Sequence, residues 1–297
     1  MQDFVAIIGA SGNVGHALAE GLLSRAIHVR AIARHAEKLQ NLSARGAETR
    51  IGTVEDRAFL AEAFRGAAAA FVMIPPNYAA PDFLAYQREI AGHLCAAIRE
   101  AGVARVVSLS SVGAELASGN GPIAGLHVLE TELDRVPGLH VVHLRPTYFM
   151  ENHLSTIGLI KTMGMNGSAM KADLAMPMIA TKDIAAAAVE ILATPTFTGR
   201  RVRYLLGPRD YTMTDVTRIL GAAVGRPGLA YMQFPAADTR NALVGMGLSP
   251  SVAGAFVEMA EGFNRGLIAA EPRSAANTTP TTMEEFAATV FKTVFGA

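Results

Sequence analysis

The 297-residue chain has a single cysteine, Cys95, so an intrachain disulfide is excluded. Its neighbours Leu94, Ala96 and Ala97 make it read as a buried structural thiol, and such sparing use of cysteine fits a reducing, cytoplasmic setting. No charge of either sign dominates: Lys plus Arg and Asp plus Glu number 26 each, and no basic block marks a nucleic-acid groove or a site for an anionic membrane. No apolar stretch approaches the ~20 residues of a membrane-spanning helix. The opening MQDFVAIIGASG lacks a charged segment followed by a cleavage signal, so no leader is expected. The eight histidines include no HxH or HxxxH pair and the cysteine has no partner, so no metal site is expected. Repeats and low-complexity linkers are also missing. A small molecule is left as the expected partner, and with 51% apolar residues the chain can bury a sizeable core.

What is present is an alternation. FVAII at 4–8 is a short apolar run closed by glycine, which reads as a strand buried on both faces. Val14, Leu18, Leu22 and Leu23 then recur at helical spacing. Further strands are expected at 28–33, 49–54, 68–74, 105–111 and 140–146, with helices around 37–42, 59–64, 83–99 and 123–136 between them. Gly102 stands where a helix C-terminus wants a left-handed residue. Such alternation predicts an α/β fold, a Rossmann-like doubly wound parallel sheet.

After Pro146 the rhythm fails, and 150–178, rich in Met and Gly, reads as a loop or lid. A helix at 181–192 and a strand at 201–206 are expected to return to the sheet. The last third is mainly helical, with Ser249 before Pro250 and Thr282 three residues before Glu285 as N-terminal signals. Residues 1–150 are thus expected to form the dinucleotide-binding half, with 180–207 rejoining its sheet, and 151–297 a smaller, mainly helical substrate-side lobe.

The main chemical signal is GASGNVG at 9–15. GxxGxxG is not the commonest dinucleotide spacing, but it lies between an expected buried strand and an expected helix. There Gly9 permits the tight turn, Gly12 lets backbone approach phosphate and Gly15 lets helix and strand pack closely. Unpaired N–H groups at the helix start favour an anion, Val14 begins the helix's apolar stripe, and Ser11 and Asn13 add hydrogen-bonding side chains. At the end of the second strand, where an NAD site usually has a carboxylate, the chain reads AIARHAEKL. Arg34 and Lys38 would welcome a 2′-phosphate, so NADP(H) is expected over NAD(H), unless the two simply form a solvated face.

GASGNVG, ARHAEKL, GTVEDRAFLAEAFRGA, SLSS, LRPTYFMENHL and TKDIAAAAVEIL follow one another in an order that resembles the NmrA-like branch of the atypical short-chain dehydrogenases/reductases, which includes quinone oxidoreductases and azoreductase-like proteins. The resemblance implies an adenine end near Arg34, Lys38, Thr53 and Val54. Ribose and nicotinamide would lie near Ile74, Pro75, Pro76, Ser110, Ser111 and Pro146 to Phe149. It also implies that His127 is the counterpart of a Lys or His found before the sixth strand in relatives. On its helix His127 stands at the edge of the stripe Leu126, Leu129, Leu133 and Val136, facing either the cofactor or solvent.

Many relatives carry Tyr-x-x-x-Lys, whose phenol moves a proton at the substrate oxygen. None of the six tyrosines here has a lysine four residues on, and 101–150 contains no lysine. Alcohol dehydrogenase and sugar epimerase chemistry are therefore disfavoured. A quinone or another electron-poor acceptor stabilises incoming charge itself and asks mainly for orientation. Tyr148, Phe149, Met150 and Asn152 are the candidate roof for a flat acceptor, with core packing of Phe149 and Met150 as the competing reading. The methionines at 163, 165, 170, 176 and 178 suit an adaptable apolar pocket or a loop over core. Two functions follow: NADPH-dependent reduction of quinones or similar conjugated acceptors, or non-catalytic NADP(H) sensing, which would add a protein partner.

Overall fold

The computed structural model describes residues 4–297. Seven strands, β1 (Phe4–Ile8), β2 (His28–Ala33), β3 (Glu48–Ile51), β4 (Ala67–Val72), β5 (Arg105–Leu109), β6 (His140–Pro146) and, later in the chain, β10 (Arg200–Leu205), form one sheet in the order β10-β6-β5-β4-β1-β2-β3. All pairings in it are parallel. Strand residues alternate between two cores, as the two-residue period requires. Val5 and Ile7 of β1 face helices α1 (Asn13–Leu23) and α7 (Thr181–Ala193), together with Leu42 of α2 (Gln40–Ala44). Ala6 and Ile8 face α3 (Arg57–Phe64), α4 (Phe83–Ala101) and α5 (Ile123–Asp134). Continuous apolar runs are thus needed because both faces are covered.

Strand boundaries depart from expectation where the chain leaves the ladder to line a crevice. β3 stops at Ile51 because Gly52 turns away at the sheet's edge, its N–H still reaching Ala33 O at 3.1 Å. β4 ends at Val72, freeing Met73 and Ile74. β5 ends at Leu109, though Ser110 N–H donates to Leu144 O at 2.8 Å. Gly102 closes α4 with φ of 70°.

The segment 150–178 is not a lid loop. After β7 (Tyr148–Phe149) it forms a 3-10 turn at Met150–Thr156, α6 (Ile157–Met163), β8 (Met165–Ser168) and β9 (Met176–Ile179). β9 pairs with β7 and with β11 (Asp210–Tyr211), while β8 pairs with β12 (Ala230–Gln233). The pairing partners of β8 and β9 beyond β7 lie over thirty residues away, so no local period announces them. Met170, Met176 and Met178 are buried in the core of this lobe with Tyr211, Phe286 and Phe291, so these thioethers serve packing. Met163 is exposed. Helices α8 (Met213–Ala223), α9 (Ala236–Gly245), α10 (Pro250–Asn264) and a C-terminal run over residues 283–296 complete the lobe. Ser249 caps α10 ahead of Pro250, and Thr282 accepts from Glu285 N–H.

The turn from β1 into α1 brings backbone close against backbone. Gly9 has φ of 74°, and a β-carbon at Gly15 would sit 2.3 Å from Gly9 O. We expect Gly15→Ala to cost about 1–3 kcal/mol in urea unfolding, since the carbonyl is backbone and cannot yield. Gly92→Ala, within α4 and with nothing inside 4 Å, should instead gain about 0.5–1 kcal/mol.

Candidate functional site

The strand order reverses between β1 and β4, and the crevice at their carboxyl ends is where a doubly wound sheet takes ligands. Two clefts meet there, sharing Met73. The first, about 270 Å³, is lined by Gly9, Ser11 and Gly12 of the turn, Arg34 and Lys38 beyond β2, Val54 and Glu55 beyond β3, and Pro75, Pro76 and Tyr86. The second, about 240 Å³, is lined by Ile74, Ser110, Ser111, Tyr148, Phe149 and Asn152, and by Phe256, Met259 and Phe263 of α10. Cysteine takes no part: Cys95 is buried on α4, and burial pushes its thiol up to about 12.

The turn is built for an anion. Gly9 and Gly15 are demanded by backbone angle and packing, but Gly12 is not, since a β-carbon there would only touch Gly9 O at 3.4 Å. Its bare, exposed face opens on the cleft. Helix α1 starts at Gly12 with no side-chain cap and no acidic residue in its first turn. First-turn N–H groups and the positive end of the helix dipole are thus left for a ligand. Val14 and Gly15 are buried beneath the turn, and Asn13 lies on the outer side of it, in a neighbouring cleft that also holds Ser11.

Arg34 and Lys38 are exposed, border the same cleft and enter no ion pair among the described residues. The intervening Glu37 reaches His35 instead, at 3.6 Å. Thr53 does not line the cleft; its neighbours Gly52, Val54 and Glu55 do. Tyr86, unforeseen in the sequence, closes one wall and donates to Pro75 O at 3.0 Å. Burial, followed by the charge of Glu55, raises its phenol to about 12.

The second cleft has no charged residue in its lining. Tyr148 stands edge-on to Phe263, centroids 6.3 Å apart, and burial, followed by the nearby Tyr231, pushes its phenol up to about 12. Phe149 and Asn152 also line it, but Met150 does not: fully buried, it packs in the lobe's core. Pro146 ends β6 beside Leu205, its carbonyl accepting from Val112 N–H at 3.0 Å, and stays behind the wall. His127 also stays outside this lining. Its Nδ1 lies 2.9 Å from Ala114 O, and the adjacent Leu126 takes the place at the cleft.

Ser110 borders the cleft, yet its hydroxyl is turned to a buried ion pair. Ser110 Oγ donates to Glu130 Oε1 at 2.5 Å, and Arg145 grips the same carboxylate from Nε at 3.0 Å and Nη2 at 2.6 Å. Arg145 Nη1 donates to Glu115 at 2.8 Å and Tyr204 at 2.9 Å. Burial would raise the Glu130 carboxyl, but hydrogen bonds from Arg145 and Ser110 outweigh it and hold it below its usual range. An arginine inside a doubly covered strand calls for a carboxylate, a signal the sequence did carry in Arg145 and Glu130. Ser111 donates to Val112 O at 3.0 Å.

This is a dinucleotide-binding type of α/β fold, with an uncapped glycine turn, a cationic pair that forms no ion pair among the described residues, and an uncharged aromatic cleft along one sheet edge. More narrowly, the chain belongs to the NmrA-like family, whose model matches residues 1–287. It is 27% identical over 264 residues to an NAD(P)H azoreductase of Xenophilus azovorans, covering 86% of this chain and 85% of that one. Its fold is similar to an NADPH-dependent quinone oxidoreductase of Escherichia coli crystallised with NADPH (TM-score 0.81, 23% identity, 97% of this chain and 100% of that one). It is also similar to a Citrobacter sp. triphenylmethane reductase (TM-score 0.80, 18% identity, 98% and 99% covered). No helix among the described residues is long and apolar enough to cross a membrane. None of the described His, Cys, Asp and Glu residues group as a metal site.

Arg145→Leu, which strands Glu130 as a buried unpaired charge, should cost about 3–5 kcal/mol in urea unfolding, and adding Glu130→Leu should restore much of it. The sign with pH follows from Glu130's lowered pKa. Its stabilisation is complete above the ordinary glutamate value of about 4.3 and is lost as pH falls through the lower folded value. Acid unfolding curves of wild type and Glu130→Gln should therefore converge below that point.

Proposed function

We propose that this chain is an NADPH-dependent reductase of quinones or similar conjugated, uncharged small molecules. The observation that carries the reading is the pair of clefts meeting at Met73, one suited to a dinucleotide's phosphates and the other to a flat apolar acceptor. The residues fit the cofactor: Gly12 leaves room for a pyrophosphate against the uncapped start of α1, and Arg34 and Lys38 offer two charges to a 2′-phosphate. The names of the relatives in Xenophilus azovorans and Escherichia coli support the same reading.

A bound reduced nicotinamide supplies a hydride equivalent. The chain's part is to orient and to exclude water: Ile74, Tyr148 and Phe149 flank the acceptor's ring, Phe256 and Met259 close over it from α10, and Asn152 offers a hydrogen bond to a carbonyl. Tyr148 stays protonated at neutral pH, so it donates a hydrogen bond and does not act as a base. Two electrons and one hydride proton reach the acceptor, and water supplies the second proton. His127, held at Ala114 O, is assigned a positioning role for the loop ahead of α5.

Steady-state oxidation of NADPH with a panel of quinones and azo compounds tests the reading. Turnover is expected with neutral acceptors, and His127→Ala should keep kcat within about threefold while lowering thermal stability. Tight NADPH binding without reduction of any acceptor would replace the reductase with an NADP(H) sensor. Cofactor choice has its own measurement: Arg34→Asp should weaken NADPH at least tenfold, as expected on removing a charge-assisted contact, and NADH by less than twofold. Gly12→Ala should weaken both cofactors tenfold or more and leave the urea midpoint unchanged.

A further inference from the structure

Beside the acceptor cleft lies another cavity, about 420 Å³, to which the reading above gives no role. The two share Tyr148 and Asn152 in their walls. The rest of the lining comes from the turn at residues 150–156, from α6, β8 and β12, and from α9. Helix α9 fully buries none of its ten residues and packs against α10, standing over the cavity as a wall. Leu159, Phe234 and Leu243 make most of this space apolar, and the exposed Met246 lies at its rim.

Among the described residues, three buried side-chain polar atoms have no hydrogen-bond partner: Asn120 Oδ1, His153 Nε2 and Thr239 Oγ1. Two of the three border this one cavity, His153 from the turn at residues 150–156 and Thr239 from α9. An unpartnered buried polar atom is destabilising, and a pair around one apolar space is explained by a ligand that completes them. Burial pushes the His153 imidazole down to about 4, so near neutral pH it offers a hydrogen bond without a charge. Neither lysine nor arginine lines the cavity, and Asp238 is its one charged residue. An anionic group would therefore be repelled, and a purely hydrocarbon arm would leave both polar atoms unmet.

We propose that this cavity is a distal subsite of the acceptor site, taking an uncharged aryl arm that bears a hydroxyl or carbonyl oxygen and pairing that oxygen with His153 and Thr239. Tyr148 then stands between the reacting ring and the arm, its ring centroid 5.6 Å from that of His153. The inference rests on the acceptor reading of the neighbouring cleft, so its test is one of binding, with no hydride moved.

Calorimetric titration of the chain in saturating NADP⁺ would compare 2-phenyl-1,4-benzoquinone with its 4′-hydroxyphenyl analogue. The hydroxylated probe is expected to bind at least fivefold tighter to the wild type. Thr239→Val and His153→Phe, which keep volume and remove the polar atom, should each reduce that difference to less than twofold and leave the unsubstituted probe unaffected. No difference in the wild type, no binding of either probe, or a difference that survives Thr239→Val would overturn the subsite. Thr239 is on the exposed α9, so this variant reads the outcome even if His153→Phe fails to fold. Oxidation of NADPH by the two probes is scored separately: if neither is reduced, the reductase reading fails, while the binding difference still decides the subsite.

Discussion

Parallel pairing is the constraint on which the rest of the molecule depends. A parallel neighbour cannot be reached by a tight turn, so each of the seven strands is followed or preceded by a crossover, and all strands deliver their carboxyl ends to one edge. The reversal of strand order between β1 and β4 then parts the loops and leaves a crevice lined by both Gly9 and Met73. Apart from Tyr86 on α4 and the wall that α10 supplies, the candidate site hangs from that edge. The glycine turn follows β1, the cationic pair follows β2, Val54 and Glu55 follow β3, Ile74 to Pro76 follow β4, the serines follow β5 and Tyr148 follows β6.

The same edge carries an electrostatic clamp. Arg145 near the end of β6 gathers Glu130 from α5, Glu115 from the loop after β5 and Tyr204 from β10, and through Glu130 it also reaches Ser110. An ion pair of this kind adds little net stability over an apolar substitute, because desolvating both charges offsets their attraction. What it adds is position. Four segments that would otherwise be joined by non-directional packing are referred to one planar guanidinium, and the floor of the uncharged cleft is fixed beside it.

The parts legible in the sequence were those whose cause is local. β1, β2 and β6 are apolar runs closed by glycine, polar residues or proline, and their limits follow from the letters. The glycine turn and Arg34 were readable because their neighbours in space are also neighbours in the chain. The wall from α10 was not, since Phe256, Met259 and Phe263 meet Tyr148 from more than a hundred residues away. Nor can spacing decide between adjacent apolar residues at a turn: Phe149 faces the cleft and Met150 the core, one peptide apart. His127 shows the same limit on a helix, where a turn of one residue exchanges it with Leu126 at the cleft.

The cleft beside Tyr148 is defined as much by what cannot ionise there. Its lining has no charged side chain, Ser110's hydroxyl is committed to Glu130, and burial holds the Tyr148 phenol in its protonated form. No group in it is poised to take a proton near neutral pH, so converting a plain alcohol would create an alkoxide with nothing to stabilise it. A conjugated acceptor has no such need, because the charge that arrives with a hydride spreads over its own π system, and protons can follow from water. The absence of a tyrosine–lysine pair and the apolar lining therefore both support the proposed reading of the substrate. The cleft contributes aromatic faces, one amide and exclusion of solvent, which are the requirements of orientation and not of acid–base chemistry.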